Sequence, residues 1–247
     1  MHYTRREFED FLKTVDLAEY RRLYRSIKIV EMDLDKYCNI VPLDVLYKLY
    51  WEEEKGTREI PTFEQFYKIY TETFKDKIRE FWEKSCFGLD CDCFPRGLKA
   101  RINRTWISII TQIHAGYVAE EVFGAGNVKQ STELDRKNID ILVNYSGKEI
   151  KFQIKKSTNR KELRRMSASK AKEKGFVYLK YEVVKDEDYE TPKYTAKRYK
   201  GKYRPWAKQF IAFNRTKGFL DRYDNGFIVF TERKFLDYKA KIDSGKN

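Results

Sequence analysis

The sequence predicts a mixed α/β protein, with a helical N-terminal part followed by a mixed β-sheet core flanked by helices. Three patterns carry that expectation. Through the first half of the chain, apolar residues recur at spacings of three and four, as on one face of a helix. From Ile139 to Lys156 they alternate with polar residues, as in half-buried strands. Beyond that stretch, a helix-like run and a second strand-like run follow in succession, the order a mixed sheet requires. At 247 residues the chain is read as a single domain, 1–97 mainly helical and 98–247 an α/β core.

Taken in order, Phe8, Phe11 and Leu12 begin an amphipathic helix, and a second follows Pro42 through Leu43, Leu46, Leu49 and Tyr50. Thr62, with Gln65 three residues on, forms a capping box for a third helix. Its stripe is read as Phe63, Phe66, Tyr70, Phe74, Ile78 and Phe81. Cys86 to Gly97 reads as a loop, and a long helix then runs from about Leu98 to Val122 with Leu98, Ile102, Trp106, Ile109, Ile113 and Tyr117 facing inward. His114 on that helix is expected to be a hydrogen-bonded structural histidine rather than a base. A short strand is expected near Val128, then the two strands of 139–156, a basic helix from Arg160 to Lys174, and a strand from Phe176 to Val184. A helix from about Pro205 to Phe213 and a strand Phe227–Phe230, after the turn at Asp224-Asn225-Gly226, complete the sheet in this reading.

The chain carries 51 Lys and Arg against 38 Asp and Glu, a net charge of +13. Between Lys148 and Lys208 there are 20 basic and 8 acidic residues, so nearly all the excess lies in one quarter of the chain. A polyanionic partner follows, most simply nucleic acid. No apolar run approaches the roughly 18 residues of a membrane span, and the charged start is unlike a signal peptide, so a cytoplasmic protein with no membrane partner is expected. The four cysteines, Cys38, Cys86, Cys91 and Cys93, match neither a secreted disulfide framework nor a standard zinc spacing.

The chemistry is sought in 139–156. A two-residue turn at Ser146-Gly147 pairs Tyr145 with Lys148, and the apolar alternation demands the same parity. Asp140 then lies opposite Gln153, with Lys155 two residues further along the same face. A carboxylate and a carbonyl oxygen can share a hard divalent cation such as Mg²⁺. A neighbouring lysine can orient the attacking water or offset charge on a phosphate. Because Gln153 is neutral, a further metal carboxylate is sought at Asp135, Glu120 or Glu121. Asp140 has an ordinary reading too, as a solvated edge residue. The basic stretches supply candidate DNA contacts: Arg160, Lys161, Arg164 and Arg165 in the first, and Lys197, Arg198, Lys200, Lys202 and Arg204, interleaved with tyrosines, in the second.

The Asp140…Gln153-x-Lys155 pattern resembles that of the PD-(D/E)xK nucleases, with an amide in place of the usual acid. Over nearly its whole length the chain also resembles the TaqI-type restriction endonucleases. The blocks that carry this are FEDFLKTVDLAEYRRLYRSIKIVEMDL, LKARINRTWISIITQIHAGY, ELDRKNIDILV with FQIKK, and YRPWAK with LDRYDNGFIVF. The resemblance implies a restriction-endonuclease-like core and Mg²⁺-dependent hydrolysis of double-stranded DNA at the palindrome TCGA, between T and C. It further implies a homodimer on the palindromic site and a separately encoded cognate DNA methyltransferase. Asp140, Gln153 and either Lys155 or Lys156 then look like the catalytic centre, with Asp135 as accessory carboxylate. Two other functions compete: a repair or junction nuclease on the same core, and a non-catalytic DNA-binding module.

Overall fold

Thr4 starts the first helix, α1 (Arg5–Lys13), through a capping box in which Thr4 and Glu7 satisfy each other's backbone N–H groups. The structure is a computed structural model that describes residues 3–17, 61–85, 93–156, 175–181 and 218–245. The expected elements at 43–50, 160–174 and 205–213 lie outside the described residues. The chain divides into two compact units, one built from Asp16–Thr111 and the other from Tyr3–Val15 with Gln112–Asn247.

In the first unit, Thr62 accepts from the Gln65 N–H at 3.3 Å and the Gln65 side chain accepts from the Thr62 N–H at 2.8 Å, so the expected capping box is present. The expected single helix is corrected to two, α2 (Phe63–Thr73) and α3 (Lys75–Ser85), because the backbone leaves helical geometry at Phe74, with φ −112° and ψ 21°. Apolar spacing runs through the break and conceals it. Phe63, Phe66, Tyr70 and Phe81 are buried. Trp106 lies 5.9 Å from Phe63 and donates its indole N–H to the Pro61 carbonyl at 3.0 Å.

The long helix α4 spans Cys93–Phe123 and starts five residues earlier than expected. Pro95 and Gly97, read as loop residues, lie in its first turns. Proline is tolerated there because the first N–H groups of a helix have no partner within it. The inward residues expected on this helix are all buried, and so are Asn103, Thr105, Thr111, Gln112 and His114.

The second unit holds a four-stranded mixed sheet in the order β1-β2-β3-β4, comprising Val128–Lys129, Ile141–Tyr145, Lys148–Lys156 and Phe176–Tyr181. β1 and β2 are antiparallel, as are β2 and β3, whereas β3 and β4 are parallel. The hairpin register is the expected one, from Tyr145 opposite Lys148 to Ile141 opposite Phe152. Ser146 and Gly147 both have positive φ, 49° and 73°, the twist that a two-residue hairpin turn needs. A short helix, α5 (Thr132–Arg136), stands where the sequence suggested only a lead into the hairpin.

Ile141, Val143 and Phe152 are fully buried. Phe152 meets Phe235 at 5.3 Å, Tyr238 at 5.7 Å and Phe123 at 6.4 Å. Phe235 and Tyr238 belong to α6 (Arg233–Asp243), a helix not foreseen from the sequence. β5 (Leu220–Arg222) and β6 (Ile228–Phe230) do not complete the main sheet, as expected of the C-terminal strand, but pair with each other in a second sheet. The turn between them carries Asn225, whose Nδ2 reaches the carbonyls of Leu12, Lys13 and Val15 at 2.8, 3.0 and 3.2 Å. Its Oδ1 accepts from the Phe227 N–H at 2.9 Å. Those carbonyls lie at the C-terminus of α1, where helix oxygens lack partners within the helix.

Candidate active site

Asp140 stands one residue before β2, where the regular ladder has ended. Its N–H still donates to the Phe152 carbonyl at 3.0 Å, and its carboxylate turns onto β3, where Oδ2 accepts from the Ile154 N–H. The carboxylate thus serves as the backbone's missing acceptor. Oδ1 accepts from Gln112 Nε2 on α4 at 3.2 Å. With the residue only 6% exposed, Asp140 is not the solvated edge residue of the alternative reading. Donors on both oxygens suit a carboxylate anion, which only accepts, better than a neutral acid.

Behind Asp140 lies a second amide. Gln130 follows β1 and donates from Nε2 to the Asp140 carbonyl and to the Gln112 carbonyl, both at 3.0 Å. Gly116, one turn beyond Gln112 on α4, makes room for it. Sequence reasoning missed Gln112, Gln130 and Gly116. The available signal was a polar Gln112 between Ile110 and Ile113 on a helix otherwise read as core.

Gln153 lies on β3 opposite Tyr178 of β4 and is 6% exposed. Lys155 and Lys156 end β3, with backbone partners Lys180 and Tyr181, and their side chains lie outside the described residues. Asp135 is half-buried near the end of α5. Its carbonyl accepts from the N–H of Asn138, whose φ of 62° turns the chain toward Asp140. The DNA-contact candidates Arg160, Lys161, Arg164, Arg165, Lys197, Arg198, Lys200, Lys202 and Arg204 lie outside the described residues, as do Cys38, Cys86 and Cys91.

Glu120 and Glu121 lie further along α4. Eight residues separate Gln112 from Glu120, about 12 Å of helix rise. Glu120 is half-buried, and burial pushes its carboxyl above the ordinary range. Glu121 pairs with Arg5 at 2.5 Å, and the same guanidinium holds Glu9 at 2.6 Å and also pairs with Glu232. Next to this cluster, His114 is fully buried and its Nε2 lies 3.1 Å from Glu9 Oε1. Burial lowers the imidazole's pKa, although Glu9 opposes that shift. The His114 and Arg5 contacts hold the Glu9 carboxyl down at about 2. A neutral ring donating from Nε2 fits a Nδ1 that has no hydrogen-bond partner among the described residues. His114 is therefore the structural histidine the sequence suggested.

Among the described residues, no three His, Cys, Asp or Glu side chains form a metal-holding group, and no helix is long and apolar enough to cross a membrane. A mixed sheet with a buried carboxylate at a hairpin mouth and lysines on the next strand is compatible with a nuclease. The sequence matches the family described as TaqI restriction endonuclease over residues 5–242, and the chain belongs to that family of type II restriction enzymes, which are deoxyribonucleases. It is 34% identical to the type II restriction enzyme TthHB8I of Thermus thermophilus over 246 residues, 96% of this chain and 90% of that protein. It is likewise 34% identical to the type II restriction enzyme TaqI of Thermus aquaticus over 227 residues, 91% of this chain and 82% of that one. No solved structure gives a significant match.

Proposed function

We propose that this restriction endonuclease hydrolyses double-stranded DNA at TCGA, between T and C, with Mg²⁺ as cofactor and Asp140 at its centre. The observation that carries the reading is the Asp140 carboxylate, buried yet braced by donors on both oxygens, at the mouth of a hairpin whose other arm bears Gln153, Lys155 and Lys156. Carboxylate and amide oxygens are the hard donors that Mg²⁺ selects, and one or two carboxylates with several waters suffice for it. The donor set therefore fits the ion. Asp140 would hold it, with Asp135 as the nearer sequence candidate for a second carboxylate and Gln153 offering its carbonyl oxygen.

When bound, the ion supplies Lewis-acid stabilisation of the charge that builds on the phosphate. The protein's own part is to fix the reacting groups. Asp140 stays in place because the Ile154 N–H and the Gln112 amide restrain both its oxygens. Lys155, or Lys156 if the strand end turns, orients the water and offsets negative charge. The basic residues from Arg160 to Arg204 grip the phosphates, and a symmetric dimer presents the same contacts to both strands of a palindrome. A separately encoded methyltransferase protects the host's own sites.

The test is digestion of a mapped plasmid with Mg²⁺, beside Asp140→Ala and Lys155→Ala proteins. The parent is expected to yield discrete fragments ending at TCGA and Asp140→Ala none. Full cutting by Asp140→Ala would remove the proposed centre, whereas DNA binding without any nicking by the parent would favour a binding module.

A further inference from the structure

We propose that Gln112 and Gln130 are positioning residues for the Asp140 carboxylate, seated in a slot that exists because residue 116 is glycine. The proposal rests on the reading of Asp140 as the catalytic carboxylate.

The hydrogen bonds themselves fix the orientation of the Gln130 amide. Nε2 donates to two carbonyl oxygens, those of Gln112 and Asp140. Turning the amide over would set its oxygen against both. Oε1 must therefore face α4, where a Cβ built on Gly116 would lie 2.0 Å from it and 2.6 Å from Cδ. A side chain at residue 116 would displace the amide from this position, so the glycine and the seat of Gln130 go together.

The arrangement is costly in isolation. Gln130 Oε1 is buried without a hydrogen-bond partner among the described residues, which is unfavourable because the atom gives up water and gains no donor in return. A purely structural link between α4 and β2 could be made with apolar groups at no such cost. What the amides add is directional restraint at both ends of one residue. Gln130 holds the main-chain carbonyl of Asp140, while Gln112 holds its carboxylate and, through its own carbonyl, holds Gln130. The Ile154 N–H closes the other side. Asp140 is thereby gripped between α4 and β3. Groups that orient a metal-binding side chain in this way commonly contribute about 10–100-fold to metal affinity or activity.

The test uses the full chain and four proteins beside the parent: Gln112→Met, Gly116→Ala, Gly116→Ala with Gln130→Ala, and Asp140→Asn. Four quantities are read: the single-turnover cleavage rate, calorimetric Mn²⁺ affinity on a non-cleavable duplex complex, DNA affinity in EDTA, and melting temperature. Gln112→Met keeps the side-chain volume and removes the donor. It should cleave about 10–100-fold more slowly and bind Mn²⁺ more weakly, with DNA affinity in EDTA changed by less than about threefold. Gly116→Ala should lose both melting temperature and rate. Adding Gln130→Ala relieves the clash, so the melting temperature should recover while the rate does not.

Recovery of rate together with stability would overturn the proposal, because the two residues would then only need to fit each other. So would a Gln112→Met protein that cleaves and binds Mn²⁺ within about threefold of the parent. In either case an inactive Asp140→Asn protein leaves the active-site reading standing. A fully active Asp140→Asn protein removes that reading, and this proposal with it.

Discussion

Replacing His114 by glutamine should flatten the protein's stability between pH 7 and pH 5. The chain has only two histidines, His2 and His114, so few other groups titrate in that interval. His114 is fully buried beside Glu9, with Arg5 and Glu121 also acting on it, and burial is the largest effect, lowering its pKa below the ordinary 6.5. Below pH 6.5 the unfolded chain therefore takes up a proton that the folded protein resists. Stability rises with pH wherever the unfolded state binds more protons, so this contribution is complete above pH 6.5 and declines as the pH falls toward the folded value. The limiting slope for one proton is about 1.4 kcal/mol per pH unit, which makes the loss from pH 6.5 to pH 5 at most about 2 kcal/mol. Glu9, held at about 2 against an ordinary 4.5, adds its own acid sensitivity only below this window. Urea unfolding at half-unit pH intervals on the parent and on His114→Gln measures both slopes. A parent whose stability is level from pH 7 to pH 5, or a variant as steep as the parent, would refute the assignment of a buried neutral imidazole.

Two substitutions test the packing of the unit that holds Asp140. Phe152→Ala empties a fully buried position facing Phe123, Phe235 and Tyr238, and should cost about 3–5 kcal/mol in denaturant unfolding. Asn225→Ala strips an amide from three carbonyls at the end of α1 and from the Phe227 N–H in its own turn. It should cost about 2 kcal/mol by the same measurement, with the amide exchange of α1 accelerating more than that of β2.

The hairpin was the most legible part of the chain, because its evidence is local. Period-two alternation and the Ser146-Gly147 turn each specify the same register, and the two agree. The capping box at Thr62 was legible for the same reason. What the sequence concealed depends on partners far away along the chain. Gln112 meets Asp140 across 28 residues, and no periodicity distinguishes an amide that braces a carboxylate from one that faces water. The break at Phe74 is hidden because an apolar stripe continues across it, and the start of α4 because Pro95 and Gly97 have the composition of a loop although a first helical turn tolerates them. The pairing of β6 with β5 could not be read from β6 itself, since a short apolar strand does not name its neighbour.

The contact between Asn225 and α1 also sets an order of events during synthesis. Leu12 leaves the ribosome 213 residues ahead of the side chain that caps its carbonyl, an interval of roughly 10–40 s at ordinary translation rates. Through all that time α1 lacks its cap, and the unit that carries Asp140 lacks β5, β6 and α6. Nascent chains that already contain Asp140 and β3 are thus without the packing around Phe152 and without their N-terminal closure. For an enzyme that acts on DNA, this means the packing beneath its main sheet is completed late and together, once Leu220–Asp243 have been made, rather than accumulating as the chain grows.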